Sequence, residues 1–415
     1  MAARTEPAPA TPQPRPATAE SVRAEAGDIP AIEGLRGMAV LWVLLFHYFV
    51  LREGKFDDAY VAAVKTWQPV EAFVRNGYLG VDLFFLITGF LLTLPWFLHA
   101  AEGRPAPETR GFYARRARRI LPAYYVHLVL LFFVALPLLF PRLWIQSPAF
   151  ITGNLGAHAT FLHYATPLTS SSMTVNGALW TLAIEFQYYL LLPFVAPLFV
   201  KWPWRCLLAC LIIAGGWRWL AAHHLDFIVA WYMKLGERAG VTQADARHLL
   251  ATQLPAWSLH FALGILAGRA WLRRRGAIPR GMTALAPVAA IATCTGLLFA
   301  VLSGGTSSLG QHGWAAYPLL IAGMFAAIVA WPSPLLSRMM AVKPLTMLGR
   351  VSYSAYLYHL PMLLLFNAFV PGAGAAFAFI LWLVAVLVAA GLSYRFVEAP
   401  YLQGGRPRKV GDRAH

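Results

Sequence analysis

The sequence predicts an all-α integral membrane protein with about ten transmembrane helices and both termini in the cytoplasm, and three observations carry that expectation. Of its 415 residues, 59% are hydrophobic and only 13% charged, whereas soluble domains are about a quarter charged. Apolar runs of about 20 residues recur, each enough to cross a hydrocarbon layer of about 30 Å at 1.5 Å per residue. The 34 Lys and Arg residues fall mostly in alternate connections between these runs, the asymmetry of the positive-inside rule. Disorder, collagen and a disulfide scaffold are excluded. The net charge of +16 therefore reads as a topology signal, with no nucleic-acid partner. Three cysteines, Cys206, Cys210 and Cys294, give neither a zinc pattern nor a disulfide framework, and no metal site is expected.

Residues 1–30 hold six prolines and eight alanines without an apolar core. They read as a disordered cytoplasmic tail, not as a cleaved signal peptide. Ten spans follow at about 37–51, 79–98, 120–140, 180–199, 205–222, 254–271, 282–302, 313–331, 351–369 and 375–395. The stretch 150–165, broken by Gly153, Gly156 and Pro167, reads as re-entrant or interfacial. Residues 31–400 thus form one membrane domain, and 401–415 form a basic cytoplasmic tail. With the N-terminus inside, 24 Lys and Arg lie on inner connections and 8 on outer ones, which places a multi-pass protein in the cytoplasmic (inner) membrane. An eleventh span at 150–165 would break that pattern. No internal repeat is evident, which disfavours a transporter of inverted halves.

An ionisable group inside the bilayer costs at least about 2.5 kcal/mol on insertion scales, so the few present mark function or a polar glue between helices. Only Asp82 and Glu185 among the acidic residues fall well within spans, with imidazoles at His47, His127, His260 and His359. Helical rise puts His47 about 6 Å below the outer boundary, at a depth similar to Asp82 and Glu185. A general base with carboxylates to orient it is the chemical reading. Arg36 and His47 are eleven residues apart, which returns the helix to nearly the same face and advances it about 16 Å. Arg36 is thereby either a ligand for a cytoplasmic anion or a snorkelling topology anchor.

Span one, GLRGMAVLWVLLFHY (34–48), resembles the signature of the acyltransferase-3 family of integral membrane acyltransferases. GVDLFFLITGFLL (80–92), FYARRARRILPAYY (112–125), ALWTLAIEFQYYLLLPF (178–194) and LGRVSYSAYLYHLP (348–361) agree in order and spacing. The chain departs from the pattern at Thr88, where many relatives have Ser, and at Ala183 and Phe186, which leave Glu185 as the only carboxylate of its block. The resemblance implies a ten-span core that moves an acyl group from acyl-coenzyme A, acetyl-coenzyme A first among them, to a hydroxyl of a surface polysaccharide or other carbohydrate. Relatives often carry a soluble hydrolase-like extension, and a separate protein is expected to supply any such step.

Transfer from a thioester to an alcohol needs a base, positioning of both substrates and donors for the oxyanion. His47 is expected as the base, with Asp82 or Glu185 fixing its tautomer, and with Thr88, Trp180 or Tyr353 as oxyanion candidates. Acyl-coenzyme A is a co-substrate and no tightly bound cofactor is expected. No cysteine lies near the site, which favours direct transfer over a covalent intermediate. RRARR (115–119), ahead of an apolar helix, offers Arg115, Arg116, Arg118 and Arg119 to coenzyme phosphates, with Arg36 beside them; the same cluster equally suits anionic membrane lipid. Trp180, Tyr353 and His359 are the substrate-binding candidates, Trp144 a further stacking surface. His359 also suits a hydrogen-bonded residue at the helix kink before Pro361. Two other readings stay open: a non-catalytic transporter, and the same chemistry on a macrolide-type secondary metabolite.

Overall fold

The computed structural model describes residues 30–103, 105–141, 148–170, 175–237, 240–274, 285–303, 313–330, 334–370 and 377–403. Of the tails expected at 1–30 and 401–415, residues 1–29 and 404–415 lie outside the described residues, as do Arg142, Trp144, Arg275 and Arg280, while Pro30 and residues 401–403 belong to helices. Among the described residues every regular element is helical. The long apolar elements are α1 (Pro30–Arg52), α4 (Gly80–Glu102), α5 (Thr109–Leu130), α7 (Trp180–Lys201), α8 (Pro203–His223), α11 (Leu254–Arg274), α12 (Leu285–Ser303), α13 (Ala316–Ala330), α16 (Ser352–Phe369) and α17 (Ala378–Ser393). Short helices lie between them: α2 (Ala59–Lys65), α3 (Gln68–Arg75), α6 (Pro148–Ala159), α9 (Asp226–Leu235), α10 (Gln243–Ala251), α14 (Pro334–Met340) and α15 (Lys343–Arg350).

A helix stands at each of the ten expected spans, yet seven of the described helical stretches are long and apolar enough to cross a bilayer. The apolar parts of α12 and α13, Pro287–Leu298 and Ala316–Ala330, are shorter. The third exception, α16, is diluted by Ser352, Ser354, His359 and Asn367. At 12 residues α6 covers about 18 Å, too short to span. One boundary is corrected with consequence. RRARR does not precede the third apolar helix but lies within it, because the helix begins at Thr109 and runs through a π-helical turn at Leu131–Ala135 to Leu139. The last helix likewise continues from α17 through Tyr394–Glu398 to Gln403.

Packing is set by glycines that let backbones touch. A Cβ on Gly89 would meet the Phe261 carbonyl of α11, and one on Gly264 would meet the Leu86 carbonyl of α4. These two contacts lock α4 and α11 side by side in parallel. Similar approaches join Gly77 and Gly80 to α1, and Gly37 and Gly349 fasten α15 against α1. Without a hydrophobic drive between helices in lipid, such contact is what holds them together. Gly264→Leu is therefore expected to lower the yield of folded protein and the melting temperature in detergent, at an overpacking cost of about 1–3 kcal/mol. Gly216, with open space around it, is the control. Equal melting of Gly264→Leu and Gly216→Ala would show that the close approach is not needed.

The end of α1 beyond His47 is clamped by a buried ion pair. Arg52 Nε donates to Asp58 Oδ2 at 2.6 Å, Tyr48 donates to the same oxygen at 2.7 Å, and Arg52 Nη1 reaches Asn367 of α16 at 2.6 Å. Asp58 Oδ1 accepts from the backbone N–H groups of Tyr60 and Val61 and so caps α2. Every polar atom named here has its partner, which such burial requires, and α1 and α16 are fixed against each other near His47.

Candidate active site

A cavity of about 550 Å³ opens between α4, α5, α7 and α16. Its lining includes Arg36, Arg115, Arg116 and Arg119 together with Thr88 and Glu185. Helical geometry explains the selection: positions 115, 116 and 119 share one face, while 118 is turned about 100° away. Arg118 is accordingly exposed, its Nε donating to the Ala114 carbonyl at 3.3 Å, and it is removed from the site. Arg36 Nη2 donates to Ser352 Oγ at 3.0 Å, tying α1 to the first turn of α16. Tyr353 lines the cavity and donates to the Ile120 carbonyl of α5 at 3.1 Å. Thr88 Oγ1 donates to Glu185 Oε1 at 2.8 Å, so its hydroxyl proton is engaged and it is not a free oxyanion donor in this state.

Two aromatic side chains contribute to the lining. Phe84 and Tyr356 meet edge to face at 6.2 Å between centroids. The Tyr356 hydroxyl is held by the Ala178 carbonyl and Thr181, at 3.0 and 2.9 Å. His359 lies with its ring 5.5 Å from that of Tyr356. His359 Nε2 is 3.2 Å from His47 Nδ1, so the imidazole expected as a general base is partnered by another imidazole and not by a carboxylate.

Hydrogen bonding fixes the tautomers of this pair. A carbonyl oxygen only accepts, so the contact of His47 Nδ1 with the Val43 carbonyl, 3.0 Å, and that of His359 Nδ1 with the Tyr356 carbonyl, 2.7 Å, place a proton on each Nδ1. His359 Nε2 is then the unprotonated acceptor, sharing the His47 Nδ1 proton with Val43. The lone pair of His47 Nε2 is left for chemistry. The kink before Pro361 supports the arrangement: proline withholds a donor from the Leu357 carbonyl, and Asn176 Nδ2 supplies one at 2.9 Å while also contacting His127 Nε2 at 2.9 Å.

Two expected roles are corrected. Asp82 faces α11, where its Oδ1 is 2.8 Å from His260 Nε2; it does not orient His47. Glu185 faces the cavity and Thr88, and it does not orient His47 either. Trp180 stands outside the cavity in an aromatic group, with ring centroids 5.6 Å from Tyr164 and 5.2 Å from Trp257. Sequence reasoning missed the His47–His359 contact and Ser352 as the partner of Arg36. The Tyr-His-Leu-Pro run was a usable signal for the first, since a histidine before a kinking proline has a spare ring nitrogen to offer; nothing local signalled the second.

The family model described as "Acyltransferase domain" (acyltransferase-3) matches residues 29–394. The peptidoglycan O-acetyltransferase OatA of Listeria monocytogenes is 26% identical over 394 residues, covering 91% of this chain and 56% of its own length. The O-acetyltransferase OatA of Staphylococcus aureus is 25% identical over 392 residues, covering 91% and 58%. The chain thus spans little more than half the length of these relatives. No solved structure matches. With the family match running from the start of α1 into the last helix and taking in each cavity residue named above, the chain belongs to the acyltransferase-3 family.

Proposed function

We propose that the chain is a multi-pass O-acetyltransferase of the cytoplasmic membrane, with ten spans and both termini in the cytoplasm, that moves an acetyl group from acetyl-coenzyme A to a hydroxyl of a carbohydrate such as peptidoglycan. The observation that carries this reading is the cavity whose lining brings Arg36, Arg115, Arg116 and Arg119 together with Thr88 and Glu185, and whose Tyr356 ring is 5.5 Å from that of His359 in the His47–His359 pair. Guanidinium groups suit the coenzyme's phosphates through bidentate bonds. The names of the relatives in Listeria and Staphylococcus support acetyl as the group, and that of the Listeria relative supports peptidoglycan, a carbohydrate polymer, as the acceptor.

In the proposed step the acceptor hydroxyl gives its proton to His47 Nε2 as its oxygen attacks the thioester carbonyl. The tetrahedral intermediate collapses, the carbon–sulfur bond breaks, and the thiolate recovers the proton from the imidazolium. His359 holds the ring orientation and shares the Nδ1 proton. The thioester reaches His47 by displacement of Phe84 or Tyr356, two rings of the cavity lining.

Donor binding is tested with radiolabelled acetyl-coenzyme A on purified protein in nanodiscs, one Arg→Lys change at a time. Lysine keeps the charge that sets topology but loses the guanidinium fork. At Arg115, Arg116 or Arg119 the donor KM is expected to rise about tenfold, equivalent to about 1.4 kcal/mol, with the acceptor KM unchanged. Arg118→Lys is expected to behave as wild type. Four variants indistinguishable from wild type would make the cluster a lipid anchor and remove the donor site from this cavity.

A further inference from the structure

We infer that Glu398, in the π-helical turn that follows α17, is a countercharge set behind the donor cavity, and that it moderates the hold of Arg36 and Arg119 on coenzyme phosphates so that coenzyme A can leave after transfer. In this assignment Glu398 is a positioning residue: it does not line the cavity and acts through two guanidinium groups that do. The inference rests on the proposed donor site and adds how that site releases its product.

A local irregularity of the last helix puts the carboxylate there. Ser393 and Glu398 are five residues apart, about 140° around an α-helix, yet Ser354 Oγ of α16 lies 2.7 Å from Ser393 Oγ and 2.5 Å from Glu398 Oε1. The π-helical turn Tyr394–Glu398, with i→i+5 bonds, brings both onto the side that faces α16. The same turn packs on α5, the helix that carries Arg119. Sequence reasoning ends the last span near residue 395, so this acid passes there for a connection residue.

Burial makes its charge matter. Glu398 is 1% exposed, and a buried carboxylate persists only beside groups that compensate it. Its contact with the Ser354 hydroxyl falls in the range of a hydroxyl bonded to an ionised acid, about 2.5–2.7 Å. The cations whose charge acts on it are Arg119 and Arg36. Neither donates to it among the described residues: Oε1 meets the Ser354 hydroxyl, and the buried Oε2 has no partner. The charge therefore reaches the guanidinium groups through space and leaves their N–H donors to other partners, Ser352 in the case of Arg36. Two further carboxylates, Glu33 and Glu185, act on Arg36. Of the three, Glu398 alone stands outside the cavity lining, so its charge can be deleted without reshaping that lining.

The direction of the effect follows from Coulomb attraction in a low-dielectric site. A negative charge behind an anion-binding arginine weakens its hold on phosphate, and removing that charge strengthens it. Donor and product carry the same phosphates, so both tighten together. Binding gained equally by substrate and transition state lowers KM without raising kcat.

The test is a titration of coenzyme A, the product, into the full chain in nanodiscs, beside steady-state kinetics with acetyl-coenzyme A. Glu398→Gln keeps an oxygen for the Ser354 hydroxyl and deletes the charge. It is expected to lower the coenzyme A Kd about tenfold and the donor KM by a similar factor, with no gain in kcat and stronger inhibition by added coenzyme A. Glu398→Met is a second neutral variant, in which the Ser354 hydroxyl turns to Ser393; the same tightening is expected there, and it decides the matter should Glu398→Gln not insert. Ser354→Ala breaks the link to α16 but leaves the charge, so a lower melting temperature is expected with the coenzyme A Kd within twofold of wild type. A carboxylate that only joined two helices would behave otherwise, since loosening a site raises Kd and KM. Unchanged or weaker coenzyme A binding in the neutral variants overturns the countercharge, as does equal tightening in Ser354→Ala. Wild-type protein that binds no coenzyme A overturns it together with the donor site, an outcome distinct from wild type that binds and neutral variants that do not tighten.

Discussion

His47→Ala is expected to lower acetyl transfer by about 10²-fold or more, the usual range for removing a general base, while the protein still inserts and still binds donor. The reasoning is geometric. His47 is the partly buried member of the imidazole pair and His359 the fully buried one. The carbonyls of Val43 and Tyr356 put a proton on each Nδ1, so only Nε2 of His47 is both unprotonated and uncommitted. Alanine removes that lone pair and exposes little apolar surface, and α1 remains anchored by Arg52 to Asp58 and Asn367. If the cavity arginines hold the donor as proposed, the donor KM should stay near wild type, so the loss should fall on kcat. His359→Gln separates base from partner: it removes the aromatic ring but leaves a polar group beside His47, and a smaller loss, about tenfold, is expected. Transfer within a few-fold of wild type in His47→Ala, measured on protein of confirmed insertion, would remove His47 from the reaction.

Depth along a helix was legible in the sequence, because rise per residue is fixed once a span is recognised. Direction around the helix was legible only where a residue had a neighbour on the same helix to compare with. Arg36 and His47 share a stripe as their spacing requires, one at the cavity and one at the imidazole pair. The same arithmetic separates Arg118 from Arg115, Arg116 and Arg119. Asp82 shows the limit. Its place along its own helix follows from the spacing, but whether it faced α1 or α11 depends on how two distant helices are rotated, and that is set by backbone contact at Gly89 and Gly264. The glycines of GVDLFF and TGF were readable as packing positions, while their partners, Ala39 for Gly80 and Phe261 for Gly89, were not. The Arg36–Ser352 bond, 316 positions apart, belongs to the same class. Spans were easiest where apolar residues are unbroken, and α16 shows why a functional helix scores poorly: the Ser, Tyr, His and Asn that make its contacts dilute the apolar signal.

Glu185→Gln is expected to cost about 10²-fold in kcat/KM with little change in expression or melting temperature, and it isolates the charge of that side chain. Glu185 is the acceptor of the Thr88 hydroxyl at 2.8 Å. A glutamine amide oxygen at the same place accepts the same bond, so Thr88 keeps its partner and helices α4 and α7 keep their link. What disappears is the negative charge that faces Arg36, Arg116 and Arg119 across the cavity. If the donor binds as proposed, that charge in a low-dielectric site governs how the guanidinium groups are distributed and therefore where the donor's phosphates come to rest, and a thioester misplaced by about 1 Å loses about 10²-fold in rate. Thr88→Val is the complementary change, since it leaves the charge but removes its hydrogen-bond donor, and it should cost less, about tenfold. If the link alone mattered, the order would reverse: Thr88→Val would be the damaging variant and Glu185→Gln nearly silent. Comparing the two variants for kcat/KM on acetyl-coenzyme A therefore decides between a carboxylate that organises the donor's end of the reaction and one that only joins two helices.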